Sequence, residues 1–346
     1  MKDHLVLLEN LIQTGVEQAA KAKKPVFCAS NPPYQFFFIN KHKQQDQQQA
    51  MDFSLLKKEL ALTLQVDGCV EGLQIVGDSD PFAEPAQALL FNEMNTHLQQ
   101  HVGLVFYGFT SNRQGGANGV VNQCLQAAGG SELAKKTIAN IIYGGEGTFK
   151  AIKQYRCSYG QEAKNFMVLF HSNQPEACQF GDDNYLSDQL AQTLFCLEGG
   201  VISFGQLINT FCLHVDPKLI VYTGLRSQED KKLFSAAELF RQLTEVIVAD
   251  SQSTNSLIVL LTEITHNYLS NHVFNRLPAS LSASQSTKKI AQVNTAVTQL
   301  LSQISSLPLK EFQRKLNRVV FRQYNACHNT FSSEALLQTP ETTLRR

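Results

Sequence analysis

The stretch TLFCLEGGVISFGQLINTF, residues 193–211, begins as a strand and ends as a helix. The run TLFCL (193–197) is continuously apolar. It passes through Glu198, Gly199 and Gly200 and then into apolar residues at helical spacing. A glycine turn between a strand and a helix aims the first backbone N–H groups of the helix outward, where they can hold an anion. The stretch therefore raises a question of chemistry: catalysis, binding without catalysis, or a bare connection.

Five more short apolar runs have the same character: LQIVG (73–77), GLVFYG (103–108), TIANIIY (137–143), FMVLFH (166–171) and LIVYTG (219–224). Their starts are roughly 25–34 residues apart, the length of a strand–helix–strand crossover. Helical stretches such as PAQALLFNEMNTHLQQ and VVNQCLQAAGG lie between them. Apolar strands alternating with helices predict an α/β fold, a doubly wound parallel sheet of about six strands covered on both faces.

The flanks read differently. Leu5, Leu8, Ile12 and Val16 predict an amphipathic helix over the first 24 residues. PVFCAS (25–30) and QFFFIN read as short strands, KHKQQDQQQAMD as an exposed polar segment, and 53–65 as a helix. After the last central strand come two helical stretches, LFSAAELFRQLTEVIVAD and NSLIVLLTEITHNYLSNHVF. A serine-rich linker (277–289) and a helix over roughly 290–325 follow. The expected division is a mixed N-terminal extension (1–70), a central α/β domain (71–250) and a helical C-terminal region (251–346), so the additions are mainly helical.

Composition narrows the function classes. Of 346 residues, 43% are hydrophobic and 17% charged, enough for a sizeable core. Lys+Arg and Asp+Glu both total 30, so the chain as a whole has no electrostatic pull toward nucleic acid or acidic membrane. The eight cysteines (28, 69, 124, 157, 178, 196, 212 and 327) include no C-x-x-C pair, which suits a reducing compartment. Asp3, His4 and Glu9 interrupt the N-terminus as a signal peptide, and no apolar run is long enough to cross a bilayer. A cytoplasmic location is expected, with signal-less secretion left open.

Four strands end in glycine-bearing segments: Gly77-Asp78-Ser79, then Gly108 with Gly115, Gly116 and Gly119, then Gly144, Gly145 and Thr148, and finally Gly199 and Gly200 with Ser203 just beyond. In a doubly wound sheet these turns all lie at the carboxyl edge, where ligands bind. Several together predict a nucleotide or phosphate ligand held by these residues, with no cofactor and no metal called for.

The order of these segments resembles the lonely guy family of Rossmann-like nucleotide-processing proteins, formerly known as lysine decarboxylases, over about residues 72–248. The resemblance is carried by GDSDP, by GLVFYGFTSNRQGGANGVVNQCLQAAGG and by CLEGG, with LIVYTG and FSAAELFRQLTEVI matching the last strand and helix. It implies hydrolysis of the N-glycosidic bond of nucleoside 5′-monophosphates and a homodimer that shares its sites. Helical flanks on such a core also resemble the nucleotide monophosphate nucleosidases.

The departures fall on the catalytic residues. The family's second motif is P-G-G-x-G-T-x-x-E, and here it reads EGGVISFG: Glu198 replaces proline, Ile202-Ser203 replaces Gly-Thr, and Gly205 replaces glutamate. Gln206 occupies the neighbouring acid position, and DDNYLSDQLAQ (182–192) lacks the family's arginine. Cleavage of a glycosidic bond needs a carboxylate near the ribose, whereas Gln206 can hydrogen-bond but not carry a proton. The remaining catalytic candidates are Glu198, Gln206 and Asp188. A second alignment uses IIYGGEGTFKAI (141–152), with Lys150 and Ala151 near the acid positions, and also lacks the glutamate; Glu146 is a further replacement acid.

The expectation is a nucleotide-binding protein with a degenerate catalytic motif. The alternatives are an active nucleosidase, a single-stranded-DNA binder resembling the DNA-processing protein A family, or a scaffold. Nucleic acid is disfavoured by the neutral charge. Two stripes complete the reading. Glu93, His97 and His101 share a helix face that could hold a metal. Lys310, Arg314, Arg318 and Arg322 repeat every four residues, as the solvated face of one helix would.

Overall fold

The structure is a computed structural model describing residues 2–22, 24, 26–41, 52–67, 71–78, 80–108, 116–129, 132–144, 162–173, 182–226, 234–249, 253–272 and 283–335. Ser79, Gly115, Gly145, Glu146 and Thr148 lie outside these residues. The chain divides into two compact units, Met1–Phe195 and Cys196–Arg346, whose boundary falls inside a strand, Ala191–Leu197.

The first unit contains α1 (Lys2–Lys21), β1 (Val26–Asn31), β2 (Tyr34–Asn40), α2 (Phe53–Leu64), β3 (Gly72–Gly77), α3 (Glu84–Gln100) and β4 (Val105–Gly108). It continues with α4 (Ala117–Ala127), α5 (Glu132–Lys136), β5 (Thr137–Tyr143), β6 (Asn165–Phe170), α6 (Asp182–Leu190) and the start of β7 (Ala191–Leu197). The second unit holds the end of β7, then α7 (Val201–Leu213), β8 (Lys218–Thr223), α8 (Ala236–Ala249) and α9 (Thr254–His272). α10 (Ala283–Ser306), α11 (Leu309–Leu316), β9 (Val319–Asn325) and β10 (Thr330–Ala335) close it.

The strands hydrogen-bond in the order β1-β2-β6-β5-β4-β3-β7-β8-β9-β10. The α/β class holds and the six central runs are all strands, but the sheet has ten strands rather than about six. The extra four come from the flanks, which are therefore not purely helical. β2 joins β6 in parallel and β9 joins β8 in parallel, while β1 and β10 close hairpins as antiparallel rim strands. The helix expected over 290–325 is corrected as well. Pro308 has no N–H to continue α10, α11 is short, and VVFRQYN then alternates buried and exposed as a strand does. Arg318 lies in a turn, 3.6 Å from Asp216, and Arg322 lies on β9, so the four-residue basic stripe does not form.

In the first unit, one face of the sheet meets α2 and α6 through a cluster including Phe37, Leu60, Phe106, Ile138, Met167 and Leu186. Helix α1 rests on β2 with no space to spare: a Cβ on Gly15 would lie 2.0 Å from the Phe38 ring, so only glycine admits that approach. Asp52 starts α2 by accepting from the N–H groups of Ser54 and Leu55 at 3.0 and 3.1 Å, a cap contributing about 1 kcal/mol.

Two buried lysines close helix ends in the same way. Lys136 donates to the carbonyls of Gln99 and His101 at the end of α3. Lys315 donates to those of Phe211 and Cys212 at the end of α7, at 3.2 and 3.5 Å, and lies over the Phe211 ring. Each ammonium satisfies carbonyls that the helix leaves open and faces its negative end. The second core is aromatic: Phe211 meets Phe240 and Phe312 edge-on at 6.1 and 5.1 Å.

Candidate functional site

In the second unit, the turn after β7 is made by two consecutive residues with positive φ, Glu198 at 57° and Gly199 at 94°. Only glycine takes the second value easily, and a Cβ there would also strike the Ser203 side chain at 2.5 Å. Gly200 then starts α7 with no side-chain cap, and apart from its chain neighbours and its own helix no described atom lies within 4 Å of where its Cβ would be. Ser203 is buried in the first turn of α7 and Gln206 is buried further along the helix.

The Glu198 carboxylate points inward. Oε1 accepts the Leu225 N–H at 2.9 Å and Oε2 accepts the Ser235 hydroxyl at 2.7 Å. Ser235 in turn caps α8 by accepting the Glu238 N–H at 3.1 Å. Glu198 thus ties the loop after β8 to the start of α8, and both carboxylate oxygens are engaged inside the protein. This placement gives Glu198 a structural task, holding three chain segments together.

Arg226 completes the cluster. Its Nη2 donates to the Gly199 carbonyl at 3.3 Å and to the Phe234 carbonyl at 2.9 Å, and the residue is only 9% exposed. A guanidinium is thereby held beside the starts of both α7 and α8, each of which carries about half a positive charge. Three positive features meet at one glycine turn, with the Glu198 carboxylate beside them. The Tyr268 hydroxyl accepts the Ser235 N–H at 3.1 Å, and burial pushes its pKa up to about 12. Sequence reasoning looked for the arginine in 182–192 and missed Arg226. The available signal was a basic residue three positions past the end of an apolar strand, in TGLR.

In the first unit, Gly77 ends β3 and the Asp78 carbonyl accepts the Ala117 N–H at 2.9 Å, joining that strand end to the start of α4. Gly116 starts α4, again with no side-chain cap, whereas Gly119 is buried within the helix. Gly108 ends β4 beneath Asn118: a Cβ there would lie 3.4 Å from Nδ2 of Asn118. Gly144 directly follows β5. Asp188 is fully buried in α6, next to Ser187. Ser187 Oγ accepts from Gln74 Nε2 of β3 at 2.8 Å and from Asn140 Nδ2 of β5 at 3.1 Å. No motif marks this amide cluster, because its members are 113 and 47 residues from Ser187.

The Glu93–His97–His101 stripe is broken. His97 lies 3.9 Å from Glu93, but His101 has left the helix and its Nε2 faces the Leu104 carbonyl at 3.3 Å. Among the described residues, no three His, Cys, Asp or Glu are grouped to hold a metal ion, and no helix is long and apolar enough to cross a membrane. No protein-family model matches the chain, and no curated protein matches it.

Proposed function

We propose that the protein binds a phosphate-bearing small molecule of the nucleoside 5′-monophosphate kind at the Gly199–Gly200 turn, without the glycosidic cleavage that the lonely guy resemblance implies. The observation carrying this reading is Arg226, a nearly buried guanidinium hydrogen-bonded to Gly199 where α7 begins uncapped. A helix start and an arginine together favour a phosphate, which accepts from both. Among the described residues, open space at Gly200 leaves the backbone approachable.

The reading without catalysis rests on the two catalytic candidates near this turn. Glu198 has both oxygens committed to Leu225 and Ser235, and Gln206 cannot exchange a proton. Neither supplies the carboxylate that an oxocarbenium-like transition state requires.

Thermal unfolding with inorganic phosphate, AMP and GMP tests the binding. A ligand at about a hundred times its Kd stabilises by about 2.7 kcal/mol, a readily measured rise in Tm. Arg226→Met should abolish that rise. A wild-type protein indifferent to the whole panel would sink the proposal. Free adenine or guanine released on long incubation would restore the nucleosidase alternative.

A further inference from the structure

We propose that the outer edge of β1 is an interface, where a second copy of the chain adds its own β1, antiparallel, about a two-fold axis at Cys28. β1 is the first strand of the sheet, so one of its edges has no strand beside it. The register fixes which backbone groups that edge presents. The Gln35 N–H donates to the Lys164 carbonyl at 2.8 Å, on the β6 side, so Gln35 and its β1 partner Ser30 are not a hydrogen-bonded pair. Bonded and non-bonded pairs alternate along an antiparallel ladder. The N–H and C=O groups of Val26, Cys28 and Ser30 therefore all point away from β2. Among the described residues, nothing hydrogen-bonds to them on that side. Open edges of this kind are usually blunted by a charge, a proline or a bulge. VFCASN has none of these, and its register with β2 is unbroken. At the opposite rim of the sheet, β10 carries Glu334.

The occupant that fits is a second copy, because the edge is complementary to itself. With Cys28 opposite Cys28 of the second copy, Val26 meets Ser30 and Ser30 meets Val26, each pair exchanging both backbone bonds. On the other face of the strand, Phe27 stands opposite Ala29, large against small, on both sides of the axis. Burial and then the Glu59 carboxylate raise the Cys28 thiol, while the Lys24 ammonium lowers it, so both charges stand near the axis. Each copy thus brings one carboxylate and one ammonium, and the paired surface is neutral. Glu59 lies between Leu55 and Leu62 on one stripe of α2, and these leucines are 55% and 81% exposed. Apolar surface therefore continues from the strand edge onto the helix. All of it belongs to the first unit and lies outside residues 72–248, which carry the family resemblance.

Sedimentation velocity on the full chain, from about 1 to about 100 µM, should show a monomer–dimer equilibrium. Copper-phenanthroline oxidation should trap the dimer as a disulfide between two Cys28 residues, identified by peptide mass spectrometry. A hydrogen-bonded antiparallel pair sets its Cα atoms about 5.5 Å apart, a span that a disulfide bridges. Cys28→Pro removes an N–H that points away from β2, so the variant should fold and dimerise about ten-fold or more weakly. Two further variants test the contact without altering β1. Lys24→Glu and Glu59→Lys, both at exposed positions, should each self-associate about five-fold or more weakly. Their equimolar mixture should recover the dimer, because the two chains then carry opposite charges at the axis. A wild type that stays monomeric across the whole range overturns the inference. So does a dimer that survives Cys28→Pro and yields no Cys28–Cys28 disulfide, and so does a mixture that associates no more tightly than its components.

Discussion

Arg226 and Gly199 are joined by a 3.3 Å hydrogen bond from the guanidinium Nη2 to the glycine carbonyl. The bond fixes a side chain from the loop after β8 against the turn after β7. Neither residue reveals the other in sequence. Substituting Arg226 by Lys should keep the charge and lose the rigid guanidinium whose Nη2 donates to both the Gly199 and Phe234 carbonyls. Affinity for AMP in the lysine variant should fall at least ten-fold, measured by titration calorimetry.

Glu198 should behave as a clamp. Removing its carboxylate leaves the Leu225 N–H and the Ser235 hydroxyl buried without their acceptors. Each such orphan costs about 1–3 kcal/mol. Glu198→Ala should therefore lose about 3 kcal/mol or more in urea unfolding, and Glu198→Gln, which keeps one acceptor, markedly less. An alanine variant as stable as wild type would remove the clamp reading and return Glu198 to the list of chemical candidates.

Gly15→Ala tests the contact between α1 and β2. The new Cβ would overlap the Phe38 ring at 2.0 Å, and overpacking of this kind costs about 1–3 kcal/mol. Adding Phe38→Leu should recover part of that loss. The double-mutant cycle in chemical denaturation reports the coupling directly.

Alkaline pH should weaken the fold. Burial pushes the Cys124 and Cys212 thiols up from 9.0 to about 12, and raises Tyr268 from 10.0 to about 12. These are acids held neutral in the folded state. Their stabilising contribution is complete below pH 9 and is lost as pH rises from there toward 12, because the unfolded chain releases protons first. Lys136 and Lys315, lowered by burial, act in the opposite sense. The lysine effect ends at their ordinary value of 10.5, so unfolding free energy should fall from about pH 10.5 toward 12, where only the raised acids still act. Cys124→Ala should flatten that slope. In the same range Cys28 and Cys327, both exposed, should react with iodoacetamide well before the buried Cys124, Cys196 and Cys212.

Much of the fold was legible because its signals are local. The run TLFCL is strand β7 and VISFGQLINTF starts helix α7, since a buried parallel strand must be continuously apolar and a covering helix must repeat near 3.6 residues. Where two local signals coincided, reading failed. Lys310, Arg314, Arg318 and Arg322 mimic a helix face, yet β9 begins at Val319, because pairing with β8 buries Val319 and Phe321 better than a lone helix would. Strand β10 is a similar case, gaining strand character from its pairing with β9, whereas PVFCAS and QFFFIN were legible as strands and form β1 and β2.

By itself the sequence determined the α/β class, the six central strands and the glycine turns at their ends, because backbone geometry and apolar periodicity act over a few residues. What surrounds those turns is set by the folded chain. It turned the Glu198 carboxylate inward to Leu225 and Ser235, brought Arg226 to Gly199, and gathered Gln74 and Asn140 onto Ser187. The reason is physical: a hydrogen bond or a charge acts over a few ångströms of space, and folding sets which residues share that space regardless of how far apart they stand in the chain.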